Sequence, residues 1–178
     1  MRISQTCGVV LAFTAARYAD ASSSSCPGSP AVIHAKCEMT VTFPHSTCQE
    51  VREEIFGRIA GERNWADPHN GGTYTLLSSN SNTLQGSRRT GDDKYTDLFQ
   101  LNFDSSNTEN SCIVNACSES QVTSVLDYST NYCNLHSLYC NADGDGCPIV
   151  QHELQYKEDF KNCRQHEATK CLANPTSK

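Results

Sequence analysis

The chain has 178 residues, a formal net charge of −6 from 14 basic and 20 acidic side chains, 37% hydrophobic residues and eleven cysteines. Its basic residues are scattered, Arg88-Arg89 being the only adjacent pair, which excludes the clustered positive surface on which nucleic-acid affinity rests. No apolar run approaches the ~20 residues that a membrane span needs, whereas one domain of this length can bury most of its apolar surface.

Residues 1–21 have the parts of a secretory signal peptide: Arg2, an apolar run over 7–16, and small residues Ala19 and Ala21 ahead of an expected cleavage. Its loss would remove Arg2, Arg17, Asp20 and Cys7, leaving 12 basic and 19 acidic side chains, a charge of −7, and ten cysteines. These are Cys26, Cys37, Cys48, Cys112, Cys117, Cys133, Cys140, Cys147, Cys163 and Cys171. An exported chain with an even set oxidises completely, so five disulfides and a secreted, extracellular location are expected. No C-x-x-C pair occurs and the six histidines are scattered, which argues against a structural zinc site. Oxidised sulfur also excludes a cysteine nucleophile.

Residues 22–36, rich in Ser and Pro near their start, read as a flexible lead-in tethered by Cys26. Over 37–43, Cys37, Met39, Val41 and Phe43 alternate with polar residues, the pattern of a strand with one buried face. Pro44 ends it. Ser46 and Thr47 then open a helix with the spacing of a capping box, Val51, Ile55 and Ile59 form its buried stripe, and Arg52, Glu53 and Arg58 fall off that stripe. Gly57 weakens this helix and Gly61 stops it.

Residues 73–77, 84–90 and 95–103 read as successive strands separated by polar turns. In the last, Tyr95, Phe99, Leu101 and Phe103 share a face on which Asp97 is the exception. Further strand material is expected at 112–114 and 122–126, a second helix over 131–140 and a third over 149–170. The result is an α+β fold over 37–178: an antiparallel sheet of four to five strands with one helix packed across it and two C-terminal helices attached by disulfides. In a helix Cys133 and Cys140 would lie ~10.5 Å apart, beyond the ~7 Å that a disulfide tolerates between Cα atoms. They are therefore expected to pair elsewhere, and Cys112 is not expected to pair with Cys117, nor Cys163 with Cys171.

Three groups of residues invite chemical readings. The 141–153 loop carries Asn141, Asp143, Asp145 and Gly146 at the first, third, fifth and sixth positions of an EF-hand. It thus resembles an EF-hand with one inserted residue, Cys147, which leaves Glu153 one place late. Calcium is the cofactor this implies; a polar turn held by Cys147 is the plainer reading. Trp65, Asp67 and His69 share a turn-rich loop that could bind a partner, or else Trp65 closes the base of the core. A ribonuclease-like or other small hydrolase would have to recruit His69, Glu119 and Arg88 or Arg89 as base, acid and cation. Neither G-x-S-x-G nor H-E-x-x-H occurs.

The order strand–helix–four strands resembles the layout of cystatin-type protease inhibitors, but the Q-x-V-x-G loop of that family is absent from the turn at Ser78-Ser79-Asn80-Ser81-Asn82. The segment SESQVTSVLDYSTNYCNLHSLYC over 118–140 resembles secreted, cysteine-rich proteins of eukaryotic microalgae, a likeness that runs from about Cys37 to Cys147 and implies export without implying an activity. The function expected is a secreted, non-catalytic binding domain for a protein, glycan or small molecule. A hydrolase should show the polar groups above converging in a pocket, and a binding module an exposed apolar or aromatic patch.

Overall fold

The structure, a computed structural model, describes residues 26–104 and 110–172. The leader expected at 1–21, with Cys7, lies outside the described residues.

The alternating segment forms strand β1 (Lys36–Phe43), with Cys37, Met39, Val41 and Phe43 all buried. Helix α1 (Cys48–Ala60) begins with the expected capping box: the Glu50 N–H donates to Thr47 Oγ1 at 3.2 Å and the Thr47 N–H to Glu50 Oε2 at 2.8 Å. Gly61, in the left-handed region at φ 68°, ends it. Strands β2 (Thr73–Ser79), β3 (Thr83–Arg89), β4 (Thr96–Asp104) and β5 (Cys112–Ser120) form an antiparallel meander. Strand β5 returns alongside β1, so α1 crosses over the meander. Helix α2 (Thr130–His136), the single turns α3 (Ala142–Asp145) and α4 (Ala168–Cys171), and strand β6 (Lys157–Cys163) complete the chain. Among the described residues the sheet has six strands in the order β2-β3-β4-β5-β1-β6. The core lies between the sheet's inner face and the helices α1 and α2: Met39, Val41, Phe43, Leu84, Phe99, Leu101 and Val114 from the sheet cluster with Val51, Ile55, Leu135, Leu138 and Tyr139.

The α+β class holds, with more strands than expected. Four local expectations are corrected. The third helix is instead an irregular run, strand β6 and the turn α4, because β1 offers an open edge on which Thr42 to Cys37 pair with Lys157 to Cys163, across a register shift at Glu38/Met39. The strand material at 122–126 is an irregular loop, since β5 runs on to Ser120 and ends the sheet there. Helix α2 stops at His136 and reaches Cys140 through turns. Arg58 is fully buried rather than solvated.

The disulfides are Cys26–Cys117, Cys37–Cys163, Cys48–Cys112, Cys133–Cys171 and Cys140–Cys147. All three pairings excluded on distance are absent among them. Cys26–Cys117 holds residues 26–35 against the outer face of β5, where Ser29 Oγ donates to Ser120 O at 2.7 Å and the Ser120 N–H to Ala35 O at 3.0 Å. Cys133–Cys171 ties α4 to α2.

Candidate functional site: the open end of the sheet

Charged and polar side chains penetrate the interior in three places, and their degree of pairing separates structure from candidate function. The first is the Glu54–Arg58 pair on α1, both side chains fully buried, with Arg58 Nε donating to Glu54 Oε1 at 2.7 Å. Arg58 also donates to Ser137 O and Cys140 O, each at 3.0 Å. Glu54 accepts the N–H groups of Val150, Gln151 and His152 at 2.8, 2.5 and 2.8 Å. Burial alone would raise the Glu54 pKa; those three amides and Arg58 outweigh it and hold the carboxyl below its ordinary range. The pair therefore clamps the end of the α2 turns and the 148–152 loop onto α1. Gly57 lets the clamp close: a Cβ there would meet Val150 Cγ1 at 2.7 Å.

The second assembly joins α2 to the edge strand. Glu158 on β6 accepts hydroxyl protons from Tyr132 at 3.0 Å and Tyr139 at 2.6 Å, and its Oε1 lies 2.9 Å from His136 Nδ1. Tyr156 donates to Asp145 at 2.6 Å, and His136 Nε2 lies 4.0 Å from that same carboxylate oxygen. The His136 ring is stacked on Tyr132 and met edge-on by Tyr139 and Tyr156. Burial pushes the Tyr132 and Tyr139 hydroxyls far up, with Glu158 adding to the effect, so they stay protonated as donors. His136 is only 1% exposed, and this cluster serves to seat β6.

The third assembly lies where β3, β4 and β5 end together. Arg88, Asp97 and Ser120 are register partners across these strands and share the inner face. Arg88 is fully buried; its Nε donates to Asp67 Oδ2 at 2.8 Å and its Nη2 to Asn70 Oδ1 at 2.9 Å, with further bonds from Nη2 to Asp67 and to the His69 carbonyl. Asp67 also caps its own loop, accepting the N–H groups of His69 and Gly72 at 3.0 Å each. His69 is 8% exposed, with Nδ1 2.9 Å from Lys170 O. Burial, reinforced by the Arg88 charge, lowers its pKa, so the neutral ring is favoured.

Beside this assembly Asp97 is 3% exposed and accepts from Asn134 Nδ2 at 2.8 Å. Asn134 also donates to Ser118 Oγ at 2.9 Å, and Ser118 donates to Asn131 Oδ1 at 2.9 Å. Burial raises the Asp97 pKa above its ordinary value. Asp127 caps α2, its Oδ2 accepting from the Asn131 N–H at 3.0 Å and from Asn131 Nδ2 at 2.9 Å. Asp97 and Asp127 line a cavity of about 300 Å³ with Thr90, Tyr95, Ser120, Val122, Thr123, Ser124, Leu126, Tyr128 and Thr130. On the other side of the same loop a depression of about 490 Å³ is lined by Val32, Ile33, Lys36, Val125, Leu126, Arg164 and neighbours. The loop between the two carries the most exposed cluster of large apolar side chains among the described residues: Val125 at 78%, Leu126 at 62% and Tyr128 at 73%, beside Val32 at 98% and Ile33 at 62%. Two bonds join the two tips, Ser124 N–H to Ile33 O at 3.2 Å and Ala35 N–H to Ser124 Oγ at 2.9 Å. A wider depression of about 600 Å³ along α1 lies between Arg52, Glu53, Phe56 and Gln151, where the half-buried Arg52 rests on the Phe56 and Phe103 rings and donates to Asn80 O at 2.8 Å.

The residues singled out in the sequence distribute as follows. Asp67 is turned inward onto Arg88, which also donates to the His69 carbonyl while the His69 ring lies against Lys170 O; Trp65 packs on Tyr74 and donates through Nε1 to Pro148 O at 3.1 Å. Glu119 lies on the outer face with His34, at 3.0 Å, and so does not converge with His69 and Arg88; Arg89 pairs with Asp93 at 3.1 Å. In the 141–153 loop, Asn141 Oδ1 accepts the N–H groups of Gly144 at 2.7 Å and Asp145 at 3.2 Å. There Asp145 accepts from the Asn141 N–H at 3.0 Å and Glu153 from the Ala142 N–H at 2.9 Å, while Asp143 is exposed. These oxygens brace a turn closed by Cys140–Cys147. Among the described residues no group of three or more His, Cys, Asp or Glu side chains is placed to hold a metal ion. Asp97, Asp127, Tyr95 and Tyr128 were not among the sequence candidates; the one signal was Asp97, the lone charge on an otherwise apolar strand face.

No helix among the described residues is long and apolar enough to cross a membrane. Comparisons with protein-family models, with curated proteins and with solved structures found no match to this chain.

Proposed function

We propose that this chain is a secreted, disulfide-stapled binding domain that takes its ligand at the open end of the sheet, where the 121–128 loop separates two cavities. The observation that carries this reading is the apolar cluster Val32, Ile33, Val125, Leu126 and Tyr128, held out to solvent on anchored loops. Exposed apolar patches of this kind mark binding surfaces. The anchoring is extensive: Gln165 Oε1 accepts the N–H groups of Asp127 at 3.0 Å and Tyr128 at 2.9 Å, and Cys133–Cys171 fixes the helix that follows. A preformed surface loses less entropy when a ligand docks. The non-catalytic part of the reading is supported by the separation of His69 and Arg88 from Glu119 on opposite faces of the sheet.

The test is a thermal-shift screen of the oxidised chain against small-molecule and glycan libraries, run beside a Val125→Ser/Leu126→Ser/Tyr128→Ala variant. These side chains are exposed, so the variant should melt close to the parent, and ligand-induced shifts seen with the parent should vanish. Shifts that persist in the variant, or hydrolytic turnover that the variant loses, would overturn the reading.

A further inference from the structure

Resting on that assignment of the open end, the cavity between β4, β5 and the 121–128 loop has a chemical character of its own. The charged side chains gathered here are Asp67, Arg88 and Asp97 in the interior, beside the neutral His69, and Asp127 on the cavity wall. They carry three formal negative charges against one positive. Arg88 makes its ion pair with Asp67, although its charge also reaches its cross-strand partner Asp97. Among the described residues, neither Asp97 nor Asp127 has a cationic partner within 4.0 Å; their hydrogen bonds come from the amides and hydroxyls of neutral neighbours. No Lys, Arg or His lines the cavity, but two tyrosines do: Tyr95 and Tyr128, 53% and 73% exposed. The remaining wall combines hydroxyls with the aliphatic Val122 and Leu126.

We infer that this cavity is a binding site for a small organic ammonium ion, whose charge Asp97 and Asp127 balance and whose methyl or methylene groups pack against Tyr95, Tyr128 and Leu126. A cation is attracted to the face of an aromatic ring, and an unbalanced carboxylate in a partly enclosed cavity favours it further, because the surroundings screen less than water. A neutral ligand of the same shape would gain the packing without either electrostatic contribution. An anion would meet the two carboxylates and no compensating group. The raised pKa of Asp97 fits this inference, since burial there outweighs the bonds from Asn134 and Ser120 and the nearby Arg88 charge, and a bound ammonium would offset that cost of burial.

The experiment is calorimetric titration of the oxidised chain with choline and, separately, with 3,3-dimethylbutan-1-ol, its neutral isostere. Saturable choline binding at least ten times tighter than that of the alcohol is the expected result. Tyr128→Ala should weaken choline binding about three- to tenfold, the range of a single partly exposed cation–π contact, and weaken the alcohol, which loses packing alone, by less. Asp97→Asn should erase the preference for the charged ligand. If that buried replacement fails to fold, the exposed Tyr128→Ala variant still decides. Equal binding of the two ligands, or no saturable choline binding, overturns the inference. Library hits that depend on Val125 and Leu126 while choline stays silent would sink the ammonium assignment and leave the binding surface standing.

Discussion

The Glu54–Arg58 clamp and the Asp97–Asp127 end of the sheet are both polar intrusions into the interior, and they are completed in opposite ways. In the clamp, opposite charges meet inside one helix and each is further bonded to backbone groups brought in from the 137–152 region. At the open end the charges do not balance, the bonds come from neutral groups, and a cavity lies alongside. The contrast gives a criterion for reading such clusters. A buried polar network whose charges and hydrogen bonds close on themselves holds the fold, whereas one left with surplus charge beside a cavity is suited to a ligand.

The comparison can be broken most forcefully at the clamp. Glu54→Gln leaves Arg58 buried without its counter-charge and should cost about 3–5 kcal/mol, read from urea denaturation. A loss under 1 kcal/mol would mean that the clamp does not hold the 148–152 loop. Gly57→Ala comes next and carries a diagnostic sign. Alanine in place of a mid-helix glycine ordinarily gains about 1 kcal/mol, but here its methyl would press on Val150, so a loss of about 1–3 kcal/mol is expected. A stabilised variant would show that Val150 does not pack on the helix.

The third prediction concerns pH. The folded state depresses the His69 pKa below its ordinary 6.5, so the stability it contributes is fully present above about that pH and is lost as pH falls toward the depressed value. His69→Gln should therefore flatten the decline in melting temperature from pH 7 to pH 5. The loss due to Glu54, whose pKa is lowered from 4.5, sets in at more acid pH and should persist in that variant. An unchanged profile between pH 7 and pH 5 would place His69 outside the folded network. The smallest effect should come from Tyr128→Ala, within about 0.5 kcal/mol of the parent in stability, which would confirm that the ring is not part of the core.

Local signals in the sequence were good guides to local structure. Strict alternation located β1, the Thr47–Glu50 spacing located the start of α1, and distance limits ruled out three cysteine pairings. What escaped was decided by distant partners. The 157–163 segment is charged enough to pass for a helix; its strand form comes from pairing with β1 some 120 residues earlier and from Cys37–Cys163, whose separation is 126 residues. Arg58 read as lying off the buried stripe because its backbone partners lie at Ser137 and Cys140. The same holds for the site. Asp97 was visible as a charge among apolar neighbours, but its meaning depended on Asn134 and on the path of the 121–128 loop, within which 122–126 reads as strand material.

The central claim, that the open end of the sheet takes an organic ammonium ion, is tested most directly by mapping amide chemical shifts of the isotopically labelled, oxidised chain during a choline titration. The account predicts changes confined to Thr90, Tyr95, Asp97, Ser120 and the 122–130 segment. Changes centred on the α1 groove near Arg52 and Phe56, or none at all, would contradict it.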